Sequence, residues 1–178
     1  SDTILLMPSD HLISDIKNFT DTVNHAIVHH SNDDFLAFCK EPESNNTNFG
    51  YLKKGNKLAP NFYQITKFIE KPNKHKAKNY INSKNYLWNC GIYLFQAKRF
   101  LEELHLHEPK IYHACKQADD HAETKTKTKT KTKTKTKTLN ISLSKELRVS
   151  IDTAVMEKTK FIKAIILNSD WSDLGTWK

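Results

Sequence analysis

Two apolar runs near opposite ends of the chain, residues 3–7 and 161–167, are each followed within a few residues by an acid. The first acid is Asp10, in Met7-Pro8-Ser9-Asp10-His11, and the second is Asp173, in Asp170-Trp171-Ser172-Asp173-Leu174-Gly175-Thr176-Trp177. Apolar runs of this length read as buried strands. Both carboxylates would then emerge at the carboxyl edge of a sheet, where open α/β folds bind their ligands. A pair of carboxylates completed by substrate phosphates is the usual magnesium arrangement, and it neutralises charge that builds up during phosphoryl or nucleotidyl transfer. Taken singly, either acid also reads as a turn former or a helix cap.

The stretch between these ends supports an α/β sheet layered by helices. Ile16, Phe19, Val23 and Ile27 recur at helical spacing, with Ser14 or Asp15 as the cap, so residues 15–30 read as an amphipathic helix. Residues 35–39, 63–70 and 91–95 read as strands, and residues 74–82 and 97–105 as helices. Residues 41–48 are polar and rich in Asn and Ser, hence a loop. Helical character returns over residues 145–158 through Leu147, Ile151, Ala154 and Val155, and leads into the last strand. Strands alternating with helices place the chain in the α/β class.

With 178 residues the chain is long enough for one domain, or for part of a larger protein. The formal charge of +8 invites a nucleic-acid reading, but seven lysines lie in the uninterrupted Thr-Lys alternation at 124–138, and the remainder is nearly balanced. That tract carries no aromatic residue on which a base could stack, so a nucleic-acid partner is not expected. With nothing to bury, it reads as a flexible, solvated spacer inserted into the domain. Cys39, Cys90 and Cys115 are odd in number and widely spaced, which argues against a disulfide framework or a zinc knuckle and fits a reducing cytoplasm. No apolar run is long enough to span a bilayer, and the chain opens without a basic-then-apolar leader, so neither membrane nor export is expected. His11, His29, His30, His105 and His107 lack acid or thiol partners at ligand spacing and read as surface or packing residues.

Five segments taken together, in this order and at this spacing, resemble the mannose-1-phosphate guanylyltransferases. They are Met7-Pro8-Ser9-Asp10-His11, Phe68-Ile69-Glu70-Lys71-Pro72, Trp88-Asn89-Cys90-Gly91-Ile92-Tyr93, the run from Val149 to Thr159 centred on Ser150-Ile151-Asp152, and Trp171-Ser172-Asp173-Leu174-Gly175-Thr176-Trp177. The resemblance implies a Rossmann-like nucleotidyltransferase sheet and a reaction joining GTP and mannose 1-phosphate into GDP-mannose and pyrophosphate with magnesium. It implies that Asp10 and Asp173 hold the metal and, with Lys71, form the catalytic set. On the sugar side it implies that Glu70 accepts hydroxyls, Lys71 meets the phosphate as a point charge, and Asn89 turns its amide to the sugar. Gly91 would keep the backbone close, Gly50 and Tyr51 would close the sugar loop, and Asp152 would lie near the sugar. Each also has a plain structural reading: Glu70 and Lys71 as a surface ion pair, Asn89 as a turn residue, Asp152 as a helix cap.

The chain departs from that family pattern in places. The glycine-rich segment that cradles nucleotide phosphates is absent, so the sheet is expected to be incomplete at its amino end and the chain alone inactive. Asn46 and Asn48 stand where the family has Glu and Gly, and Cys90 where it has Ser. The alternative is a catalytically inactive homologue or split-gene fragment serving as a sugar-phosphate-binding or regulatory subunit. The sequence leaves the oligomeric state, a homo-oligomer included, open.

Overall fold

Strand β3 (Phe35–Lys40) shows how the chain divides its core: Phe35, Ala37 and Cys39 enter one buried cluster, Leu36 and Phe38 another. This is the period of two of a pleated strand, and with both faces covered the strand is apolar almost throughout. The computed structural model describes residues 2–120, 123–129, 132–138 and 148–176. Around β3 the sheet comprises β1 (Thr3–Leu6), β4 (Tyr51–Ala59), β5 (Phe62–Ile69), β6 (Tyr86–Gln96) and β9 (Ile162–Ile166), in the order β1-β6-β3-β9-β5-β4. Within this sheet only the β3–β9 pairing is parallel. Because β6 runs against both β1 and β3, the strands β1, β3 and β9 point the same way and end at one edge.

A mixed sheet with helices on both faces is the α/β architecture expected. On one face lies α1 (Ile16–His29), capped by Asp15, whose carboxylate accepts from the Asn18 N–H at 3.0 Å. Its inward side is Phe19, Thr22, Val23 and Ala26, whereas Ile16 and Ile27 are exposed, so the packed stripe is narrower than the spacing predicts. The other face is covered by α3 (Ala97–His107), α4 (Pro109–Asp120) and a π-helical turn, Asp152–Met156, through Leu104, Ile111, Ala154, Val155 and Met156. Helix α2 (Lys74–Ser83) opens on Asn73, which caps the Lys76 N–H at 2.9 Å, and packs Ala77 against Tyr51 and Trp88. Among the described residues no helix is long and apolar enough to cross a membrane.

Three expectations are corrected. Strand β1 is an edge strand that leaves Ile4, Leu6 and Met7 exposed, because only β6 pairs with it. Helical structure near residue 150 is confined to Ile151 and the π turn, with residues 148–150 irregular; the rest of that predicted helix lies outside the described residues. The Thr-Lys tract is not a featureless spacer but pairs as β7 (Glu123–Lys129) with β8 (Thr132–Thr138), a two-stranded sheet of its own. Within the described residues the register sets lysine positions opposite threonine positions, and threonine favours extended backbone. Because this ribbon shares no ladder with the main sheet, excising residues 125–137 leaves the calorimetric melting temperature within a few degrees of the parent, since shortening a loop changes closure entropy only slowly.

Candidate active site

Two short strands close the chain on itself at the carboxyl edge of the sheet. β2 (His11–Ile13) pairs antiparallel with β10 (Trp171–Asp173), and Asp173 is directly across from His11. The Leu174 N–H donates to the Asp10 carbonyl at 3.2 Å, and the Gly175 N–H to the Asp173 Oδ1 at 2.8 Å. A Cβ on Gly175 would lie 3.1 Å from Asp173 Oδ1 and 3.2 Å from Asp10 Oδ2. The two acids named from the sequence therefore converge on one glycine. Asp10 and Asp173 are the hard oxygen donors here that could hold a divalent cation, with its other ligands from phosphate and water. Among the described residues no group of three or more His, Cys, Asp or Glu side chains is built to hold a metal ion.

His11, read from the sequence as a surface or packing residue, also faces Asp173. Its Nδ1 accepts from the Trp171 indole N–H at 3.1 Å, and its Nε2 stands 4.0 Å from Asp173 Oδ1. Trp171 in turn meets Phe49 with ring centroids 5.3 Å apart, and Phe49 meets Trp88 at 5.0 Å. This aromatic row joins the acidic ribbon to the loop that ends at Gly50.

The second half of the site is organised by an irregularity in β6. Cys39 pairs with Asn89 and the preceding Phe38 with Ile92, so Cys90 and Gly91 are extra residues. Gly91 takes a φ of +66°, and a Cβ there would press on Pro8 Cγ at 3.3 Å. Only glycine adopts that backbone without strain. Two extra residues preserve the facing of the strand, so Asn89 and Tyr93 become neighbours on one side. Beyond the bulge, Tyr51–Lys53 of β4 pair with Tyr86–Trp88 and bring Gly50 alongside, its carbonyl accepting from the Asn89 N–H at 2.8 Å.

Asn89 is thus a buried strand residue rather than a turn former. Its Oδ1 accepts from the Gly91 N–H at 3.1 Å, while its Nδ2 donates to the Tyr93 hydroxyl at 2.7 Å and to Asp152 Oδ1 at 2.9 Å. The Tyr93 hydroxyl donates to the same Asp152 oxygen at 2.5 Å. Burial, and then the charge of Asp152, hold the Tyr93 phenol well above its usual range, so it remains a donor. Asp152 projects from the π turn, not from a regular helix. Tyr51 is wholly buried, and its hydroxyl donates to the Asn46 carbonyl at 2.7 Å, pinning the loop that leads to Gly50.

At the end of β5, the Glu70 N–H donates to Glu157 Oε1 at 2.6 Å. Lys71 follows in the left-handed region with φ 44°, a costly conformation for a residue with a Cβ, and its exposed ammonium lies 3.7 Å from Glu70 Oε1. Glu70 Oε2 is buried without a partner among the described residues, and it stands 2.6 Å from where a Cβ on Gly50 would sit. Burial, then the charge of Asp152, push the Glu70 carboxyl up to about 7, with Lys71 opposing and Glu157 adding to the rise. Tyr93, Glu157, Phe49 and His11 are the site residues that sequence reasoning missed. Tyr93 lies inside one of the five motifs, but nothing in strand alternation marks a phenol that turns back onto a distant acid.

The whole chain, residues 1–178, matches the nucleotidyl transferase family model, and the protein belongs to that family. Mannose-1-phosphate guanylyltransferase RfbM of Salmonella typhimurium strain LT2 is 33% identical over 174 residues, covering 98% of this chain and 35% of that protein. Alginate biosynthesis protein AlgA of Pseudomonas fluorescens is 33% identical over 176 residues, with the same coverages of 98% and 35%. Among solved structures, mannose-6-phosphate isomerase from Helicobacter pylori is 30% identical and superimposes with a TM-score of 0.78 over 97% of this chain and 65% of that one. Mannose-1-phosphate geranyltransferase from Thermus thermophilus, 23% identical, shares the fold at a TM-score of 0.79 over 99% of this chain and 48% of that one. The chain spans about a third of the length of the curated relatives it matches.

Glu70 makes stability depend on pH. A carboxyl raised from 4.5 to about 7 binds more protons in the folded than in the unfolded state across that window, so its contribution is full below pH 4.5 and is lost as pH rises through 7. Glu70→Gln is accordingly more stable than the parent at pH 8, by on the order of 2 kcal/mol, and equal to it near pH 4 in urea titrations at the two pH values. Gly91→Ala loses about 1–3 kcal/mol in the same assay, because it imposes a strained backbone and a contact on Pro8.

Proposed function

We propose that this chain is the sugar-phosphate and metal-binding part of a nucleotidyltransferase that makes GDP-mannose and pyrophosphate from GTP and mannose 1-phosphate. The observation that carries the reading is the meeting of Asp10 and Asp173 at Gly175, beside a ribbon in which the Trp171 indole also donates to His11, 160 residues away in the chain. It is supported by relatives whose names specify mannose-1-phosphate guanylyltransferase at 31–34% identity. It is supported too by a second cluster of polar groups next to the ribbon, as a sugar phosphate beside a nucleotide requires.

In this reading Asp10 and Asp173 would hold magnesium, which would supply charge neutralisation for the transfer. Lys71 sets its ammonium toward the sugar phosphate, on an exposed turn that Glu157 clamps through the Glu70 N–H. Glu70 Oε2 and Asp152 accept hydrogen bonds from sugar hydroxyls, Asn89 shapes the site, and Gly50 and Gly91 make room for Glu70 and Pro8, which flank it. A phosphate oxygen of mannose 1-phosphate attacks the α-phosphorus of GTP in line, a new P–O bond forms, and the bond to pyrophosphate breaks. No protein nucleophile takes part, so rate acceleration comes from placement and electrostatics. The site needs no compartment-specific chemistry, and its buried thiols Cys39 and Cys90, both held in the protonated form by burial, fit a reducing cytoplasm.

Magnesium-dependent pyrophosphate release from GTP and mannose 1-phosphate tests the assignment in the full enzyme that contains this domain. Asp10→Asn and Asp173→Asn each lower it by at least on the order of a hundredfold while calorimetric mannose 1-phosphate binding persists. Lys71→Ala raises the sugar-phosphate KM as well as lowering kcat, since its charge meets ground and transition states alike. Near-parental turnover in either Asp variant refutes the two-ended metal site.

A further inference from the structure

We propose that Tyr93 is a positioning residue that acts through Asp152 and does not itself touch the sugar phosphate. The inference rests on the sugar-phosphate site proposed above and assigns its interior. Asn89 has both of its amide protons committed and holds Asp152 alongside Tyr93. Its carbonyl oxygen takes the Gly91 N–H, and its two amide protons are directed at the Tyr93 hydroxyl and Asp152 Oδ1. Tyr93 is fully buried, and its one proton goes to that same carboxylate oxygen.

Asp152 therefore carries two donors on Oδ1 and none from the described residues on Oδ2. The paired donors from Asn89 and Tyr93 fix its rotation. The oxygen left over is the acceptor available to a hydroxyl. A second such oxygen is Glu70 Oε2, which is buried and has no partner among the described residues. A pyranose that presents two hydroxyls satisfies both carboxylates at once. Tyr93 is thus what makes one of two acceptors point the right way, at a distance from the ligand.

A double-mutant cycle on the purified chain, titrated with mannose 1-phosphate in a calorimeter, separates this role from simple packing. Tyr93→Phe, which keeps the ring and the core, weakens binding about tenfold, and Asp152→Asn weakens it at least as much. The double variant binds no worse than Asp152→Asn alone, because Tyr93 works only through that carboxylate. Asn89→Ser repeats the cycle from the other donor and stands in if Tyr93→Phe melts far below the parent. Losses that add, or parental affinity in a folded Tyr93→Phe, overturn the inference while leaving the sugar-phosphate reading intact. A parental chain that binds no mannose 1-phosphate overturns that reading, and with it the role given to Tyr93.

Discussion

Gly91 holds the backbone of β6 in a left-handed turn where the strand stops following β3 residue for residue, and much of the molecule depends on that interruption. On one flank β6 pairs with β3 along most of its length. On the other it pairs with β1 past the bulge and with β4 before it. Two strands can share that flank because the bulge parts them. The same two extra residues keep Asn89 and Tyr93 on one face, and the bare Cα of Gly91 admits Pro8, which sets the direction of the segment leading to Asp10. A single backbone irregularity thereby relates the Asn89, Tyr93 and Asp152 cluster to the acidic ribbon.

Around this frame the protein gathers acids that repel one another. Glu70, Asp152 and Glu157 lie close enough for each of the latter two to raise the Glu70 carboxyl, with only Lys71 opposing them. Lys71 is itself strained at a φ of 44° ahead of Pro72. Such local costs persist only where the surrounding structure over-determines the geometry, and they concentrate at binding sites. Here the over-determination is visible as the Glu157 carboxylate on the Glu70 N–H and the doubly bonded oxygen of Asp152.

What the sequence made legible were the elements whose period is set by burial. Strands β3, β5 and β9 and helices α1, α2 and α3 lie close to where alternation and helical spacing put them, and Asp10 and Asp173 do converge. The rest escaped for identifiable reasons. Strand β4 reads Lys-Lys-Gly-Asn-Lys at its centre, a polar run that pairs as an irregular ribbon with β5 and buries little beyond Tyr51 and Leu52. Strands β2 and β10 have three residues each, too few to show a period, and exist only because each finds the other. Helix α4 begins at Pro109, a usable start signal for a helix first turn, but its apolar positions are sparse. The motifs marked Asn89 and Asp152 separately; that they share Tyr93 is a fact of the bulge and of chain folding, not of spacing.

The ribbon that unites β2 with β10 also has a kinetic meaning. His11 and Trp171 are 160 residues apart, so bringing these strands together closes nearly the whole chain into a loop. Six paired residues cannot offset that entropy by themselves. The ribbon forms only once β1, β3, β6 and β9 have already brought its halves near each other. Asp10 and Asp173 accordingly meet among the last events of folding and part among the first of partial opening, and the ribbon amides exchange hydrogen ahead of those in β3. On the ribosome, His11 is made 160 residues ahead of the Trp171 that it must find.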